Sequence, residues 1–131
     1  MLAGFRIFAS LSLLILLSAP AAFADPGSKV KIVVTPEARA AAADIFESRC
    51  VACHGAEGRG DGPAAGNLKP APINFHNPRW QKLINDATIA RAIVFGGQTV
   101  GVSAEMAPNP DLESEPGVVA ALVERVRQLG K

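Results

Sequence analysis

The residues of this chain best suited to chemistry lie close together. Cys50 and Cys53 are its two cysteines, and His54 follows the second directly, within RCVACHGAEGRGDGP from Arg49 to Pro63. Two thiols at i and i+3 serve four chemistries: a disulfide, a dithiol redox switch, half of a zinc site, and covalent haem attachment. A disulfide here would close a very small ring and stabilise little, because the gain falls with loop length. A dithiol switch expects a βαβ context and a thioredoxin-like sheet, and the pattern of this chain offers neither. A zinc site needs four ligands. Beyond these three residues only His76 is a strong candidate, at a spacing that matches no common zinc pattern.

Haem attachment uses every residue of the motif. Two thiols add to the two vinyl groups. On a helix end the i, i+3 spacing sets both sulfurs along one porphyrin edge, and His54 then lies over the iron as a neutral imidazole. C-x-x-C-H is read in this way, and here it takes up both cysteines.

The segment before the motif agrees with that chemistry. Arg6 supplies a charged n-region, Leu11 to Leu17 an apolar h-region, and Ala22-Phe23-Ala24 a cleavage site. Residues 1–24 therefore read as a signal peptide cleaved after Ala24, sending the chain to the periplasm, where such attachment takes place. An uncleaved membrane anchor is the competing reading, since Ile7 to Ala24 carries no charge. Pro20 and the small residues around it favour cleavage.

The whole chain carries 13 Lys and Arg against 12 Asp and Glu. Cleavage removes Arg6 alone among the charged residues and leaves a neutral chain, with no basic run to meet nucleic acid. There is no Tyr and a single Trp. So few large side chains build a thin core, which a bulky apolar prosthetic group would complete.

The elements that must position the motif are helices. Residues 25–34 alternate at Val30, Ile32 and Val34 and predict an extended N-terminal arm resembling a short strand. Thr35-Pro36-Glu37 is a helix start, with Ala38, Ala42, Ile45 and Phe46 recurring behind it up to the cysteines. From Gly55 to about Leu83 no element is evident, because Pro63, Pro70, Pro72 and Pro78 punctuate the stretch. A loop of that length suits a chain that wraps a ligand. Asn85 or Asp86 caps a second helix ending at Gly96-Gly97. A loop follows from Gln98 to Glu113. A last helix starts near Ser114 to Pro116, with Val119, Leu122, Val126 and Leu129 as its apolar stripe. The expectation is an all-α domain over residues 35–131, three main helices around long loops.

"CVACHGAEGRGDGP", the later lone Met106 and the closing "LVERVRQL" together resemble the class I c-type cytochromes of bacteria, from about Thr35 to Leu129. The resemblance implies the cytochrome c fold, an N-terminal helix crossing a C-terminal one, and one covalent haem c with its iron. It implies thioethers at Cys50 and Cys53 and axial ligands at His54 and Met106. A thioether is soft and neutral, so it favours the ferrous state. Pro63 matches by position the proline whose carbonyl receives the other N–H of the axial histidine. Ala107 separates Met106 from Pro108, where the family usually has Pro directly after Met. Arg125 stands where the family often carries an aromatic that packs near Phe46. His76, in "NFHNP", is a rival distal ligand whose plainer reading is a solvated loop histidine. Arg79, Trp80, Lys69, Asn67 and Gln98 are candidate partners for the haem propionates, and Leu68, Ile73, Phe75 and Phe95 candidate pocket walls.

The function these features predict is that of a periplasmic monohaem electron carrier, not an enzyme. It would act as a monomer between redox proteins such as a dehydrogenase, an oxidase or a quinol-oxidising complex, without nucleic acid and without stable membrane insertion. A haem sensor or haem enzyme with an open or labile sixth site is the alternative.

Overall fold

The computed structural model describes residues 31–131; the expected signal peptide and the expected arm up to residue 30 lie outside the described residues. The chain enters α1 (Pro36–Ile45) through a capped start: Thr35 accepts from the Ala38 amide at 3.1 Å and Pro36 sits in the first turn. The helix then widens into a π turn, Phe46–Cys50, and runs on as α2 (Val51–His54). The Val51 amide donates to the Phe46 carbonyl, five residues back. Ser48 donates its hydroxyl to the Asp44 carbonyl at 2.7 Å beside that widened turn. Gly55, at φ 76°, ends the helix in a conformation that L side chains rarely adopt.

The π turn decides which way each part of the helix faces. An α-helix rotates about 100° per residue, so steps of four keep residues near one face. Ala42, Phe46 and Cys50 would then share one stripe. In the structure Ala42 and Phe46 are buried in the core, Cys50 packs at the edge of that core, and Cys50, Cys53 and His54 line a cavity.

A short helix, α3 (Pro78–Leu83), lies inside the stretch expected to be featureless. Its start is chemically ordinary: the Asn77 side chain accepts from Arg79 and Trp80 amides at 3.0 and 3.1 Å, and Pro78 fills the first helical position. Pro78 opens a helix rather than breaking one. Asn85 caps α4 (Asp86–Phe95), accepting from Thr88 at 2.8 Å, and Gly96 at φ 84° ends it. The final helix is α5 (Pro116–Leu129). Among the described residues there is no strand. Lys31 to Val34 adopt no regular element, and Val34 packs against the core. The alternation there finds no partner strand to pair with.

The main packing is α1 on α5 and α4 on α5. Phe46 and Leu122 are the largest fully buried side chains, surrounded by Ala42, Ile89, Ile93, Val119, Val123 and Val126. Arg125 settles the question raised by its place on α5. Its Cζ lies 4.5 Å from the centroid of the Phe46 ring, so the guanidinium covers the face an aromatic would otherwise meet. Its Nε is buried without a hydrogen-bond partner. Arg127, two residues on, donates to the Gln81 carbonyl and Oε1 at 2.8 Å and pairs with Asp86, tying the α3–α4 junction to α5.

Candidate functional site

Both cysteines, His54 and Met106 line one cavity of about 560 Å³. The end of α2 supplies the first three, and the loop after α4 supplies Met106. Leu68, Pro70, Pro72, Ile73 and Val102 give the rest of the wall an apolar character.

His54 is held on two sides. Its ring stacks on Phe75, with centroids 4.6 Å apart and planes at 16°. Phe75 is itself fixed: its amide donates to the Gly58 carbonyl at 2.7 Å and its carbonyl accepts from Gln81 at 2.8 Å. His54 Nδ1 lies 3.3 Å from the Ile73 carbonyl. A proton held there leaves Nε2 as the free lone pair. Burial lowers the His54 pKa, opposed by the bond to Ile73, so the imidazole is kept neutral. A neutral ring with one oriented lone pair is a ready metal ligand.

The resemblance led to the carbonyl of Pro63 as the acceptor; in this structure the carbonyl that faces Nδ1 is that of Ile73, 19 residues after His54. Pro63 is exposed. The glycine loop does fold back tightly, but it caps α2. Gly60, Gly62 and Ala64 donate to the carbonyls of His54, Cys53 and Ala52 at 2.8, 3.2 and 2.8 Å. These are the orphan acceptors that every helix end must satisfy. At Gly62 an added Cβ would run into the Val51 and Ala52 carbonyls. Gly62→Ala is therefore expected to cost about 1–3 kcal/mol in urea unfolding. Gly66→Ala, with nothing within 4 Å of the new carbon, should stay within about 0.5 kcal/mol.

The two thiols are free cysteines. Burial pushes Cys50 up to about 11, against the nearby positive charges of Arg49 and Arg125. A thiol so raised stays protonated at neutral pH, which suits neither thiolate exchange nor zinc. Met106 is half-buried, and its backbone is tied at both groups: its carbonyl accepts from Gly97 at 3.0 Å and its amide donates to Ser103 at 3.3 Å.

The other candidates fall into place by exclusion from the cavity wall. His76 is bonded through Nε2 to the Glu57 carbonyl at 2.7 Å and is not on the lining. Leu68 and Ile73 are walls, whereas Phe75 lies behind His54 and Phe95 is 45% exposed elsewhere. Trp80 packs against Phe75 and the core. Arg79, Lys69, Asn67 and Gln98 are absent from the lining, and the cation that is present there is Arg49.

Two thiols on one edge, a neutral imidazole, a thioether and apolar walls fit an iron porphyrin attached through its vinyl groups. No helix among the described residues is long and apolar enough to cross a membrane. The family model for cytochrome c matches residues 40–129. No curated protein matches the chain at a significant level. With nine-tenths of its folded domain matched and the attachment motif in place, the chain belongs to the cytochrome c family of haem-binding electron carriers, with haem c as its covalent cofactor.

Proposed function

We propose that this chain is a periplasmic monohaem cytochrome that passes single electrons between larger redox proteins, with His54 and Met106 as the axial ligands. The observation that carries this reading is the shared cavity: Cys50, Cys53, His54 and Met106 line one apolar space. When bound, the haem supplies an iron that alternates between ferrous and ferric.

The chain's own residues do the rest. Ile73 holds the His54 ring in one orientation through Nδ1. Phe75 prevents it from tilting. Met106 offers a neutral, soft donor that favours the ferrous state. Leu68, Ile73 and Val102 offer apolar walls that a bound haem would cover, so little solvent would have to reorganise when the charge changes. His54 and Met106 would together hold the iron of a bound haem and would leave no place on it for a substrate, which suits a carrier rather than an enzyme.

The A-x-A signal supports export, and the balance of charge supports modest electrostatic steering toward its partners. A dehydrogenase, an oxidase or a quinol-oxidising complex can serve as donor or acceptor. Association rates should accordingly change little with ionic strength.

The test is the absorption spectrum of the purified, oxidised protein. The weak far-red band of a ferric iron–thioether bond is expected, together with failure of the reduced protein to take up carbon monoxide. Absence of the band with ready uptake of carbon monoxide would instead establish a labile sixth site.

A further inference from the structure

Arg49 stands directly before the first haem cysteine, on the π turn, and lines the cavity. Its Nη1 donates to both Asp111 carboxylate oxygens at 3.0 and 2.9 Å and to Asn109 Oδ1 at 3.2 Å. Those two residues lie on the other side of the site, just past Met106. Asn109 also reaches α4. Its side-chain amide donates to the Ile93 carbonyl at 2.8 Å and its backbone amide to Val94 at 2.9 Å. Ile93 and Val94 are in the last turn of α4, where carbonyls have no helical partner. Gly97, just beyond that turn, donates to the Met106 carbonyl.

One network thus spans the cavity. It starts at the cysteine-bearing helix, passes through the side chains of Arg49 and Asn109, and ends on the backbone that presents Met106. The loop from Gly97 to Asn109 has few apolar anchors of its own. Val102 is 49% exposed, and no residue of the loop belongs to the buried hydrophobic core. Its geometry rests on these polar ties. We infer that Arg49 and Asn109 are positioning residues for Met106, clamping the loop to the haem-bearing helix so that the thioether stays at its ligand position. This rests on Met106 being the axial ligand.

Asn109 should matter more than Arg49. Its side chain joins two partners and is partly buried, and loss of a buried hydrogen bond leaves its partner unsatisfied. The Arg49–Asp111 pair is 42% and 56% exposed, and solvent-exposed pairs contribute little individually. The two substitutions should also be non-additive, since they share the Arg49–Asn109 bond.

The experiment uses the haem-loaded protein and the variants Asn109→Ala, Arg49→Gln, Arg49→Lys and the double variant. Arg39→Gln is the control, because it breaks a comparable exposed pair, Arg39–Glu124 at 3.0 Å, remote from this loop. Urea titrations follow the far-red band and the far-UV helical signal in parallel, and carbon monoxide uptake is measured on the reduced form. In Asn109→Ala the band should disappear at lower urea than the helical signal, and the fraction open to carbon monoxide should rise about tenfold. Arg49→Gln should raise it about threefold and Arg49→Lys less, while Arg39→Gln leaves the two titrations as in wild type. If band and helix are lost together in Asn109→Ala and Arg49→Gln, both residues serve global stability only and the inference fails. A wild-type protein lacking the band overturns the ligand reading, and this inference with it.

Discussion

With Met106 as the proposed sixth ligand, Met106→Ala is expected to abolish the far-red band and to open the reduced protein to carbon monoxide. Met106 is the one sulfur donor on the cavity wall besides the two cysteines, and those are committed to the haem edges. No second imidazole can replace it in place, since His76 is engaged with the Glu57 carbonyl away from the cavity. The midpoint potential should fall by on the order of 0.1 V or more, within the roughly 0.8 V that axial ligation covers. The fold should persist. Met106 is only half-buried, and its loop is held by backbone bonds to Gly97 and Ser103 that the substitution leaves in place. The far-UV helical signal is therefore expected to change little while the visible spectrum changes completely. A variant that retains the band would assign the sixth ligand elsewhere.

Phe46→Ala has the opposite character: a large loss of stability with the ligands untouched. Phe46 is 1% exposed and sits where α1 crosses α5. Truncating a buried Phe costs about 3–5 kcal/mol, since transfer energy is lost and a cavity remains. Here the Arg125 guanidinium also loses the ring it covers, and its Nε has no hydrogen bond to fall back on. Against a typical total of about 5–15 kcal/mol, one substitution would remove a large share. Urea unfolding of the haem-loaded protein measures it. Phe46→Leu, which keeps much of the volume, should lose clearly less. A loss below about 1 kcal/mol for Phe46→Ala would mean that the crossing is not held by this contact.

The chemistry of the site was legible in the sequence because it depends on residue types at a fixed spacing. Cys50, Cys53 and His54 have no substitutes in that role. The helices around them were legible where capping and periodicity agree: Thr35-Pro36 before α1, Asn85 before α4, and the apolar stripe of α5. What escaped was set by tertiary structure or by groups that every residue shares. The acceptor for His54 is a backbone carbonyl, and nothing in the letter I at position 73 distinguishes it. Helix α3 was hidden because Pro78 follows three earlier prolines that do lie in loops, while Asn77-Pro78 is a cap and a first turn. The place of Arg125 over Phe46 required knowing how two helices cross. Arg49 looked like any polar residue at the end of a helix until its partners from beyond Met106 were in view.

The π turn at Phe46–Cys50 makes the length of this helix a constraint of its own. A widened turn amounts to one residue more than an α-helix needs there, and such turns gather at functional sites. Closing the turn into regular α geometry with all its residues kept would swing everything after it by about 100°, carrying both cysteines and His54 off the cavity. The widened turn takes up the extra residue instead, so the chain on either side keeps its face. Deleting one residue from the turn, for instance Ser48, would let the helix close while Cys50, Cys53 and His54 still face the cavity, whereas inserting one more would turn them away. The spacing between Phe46 and Cys50 therefore tolerates loss of a residue more readily than gain of one.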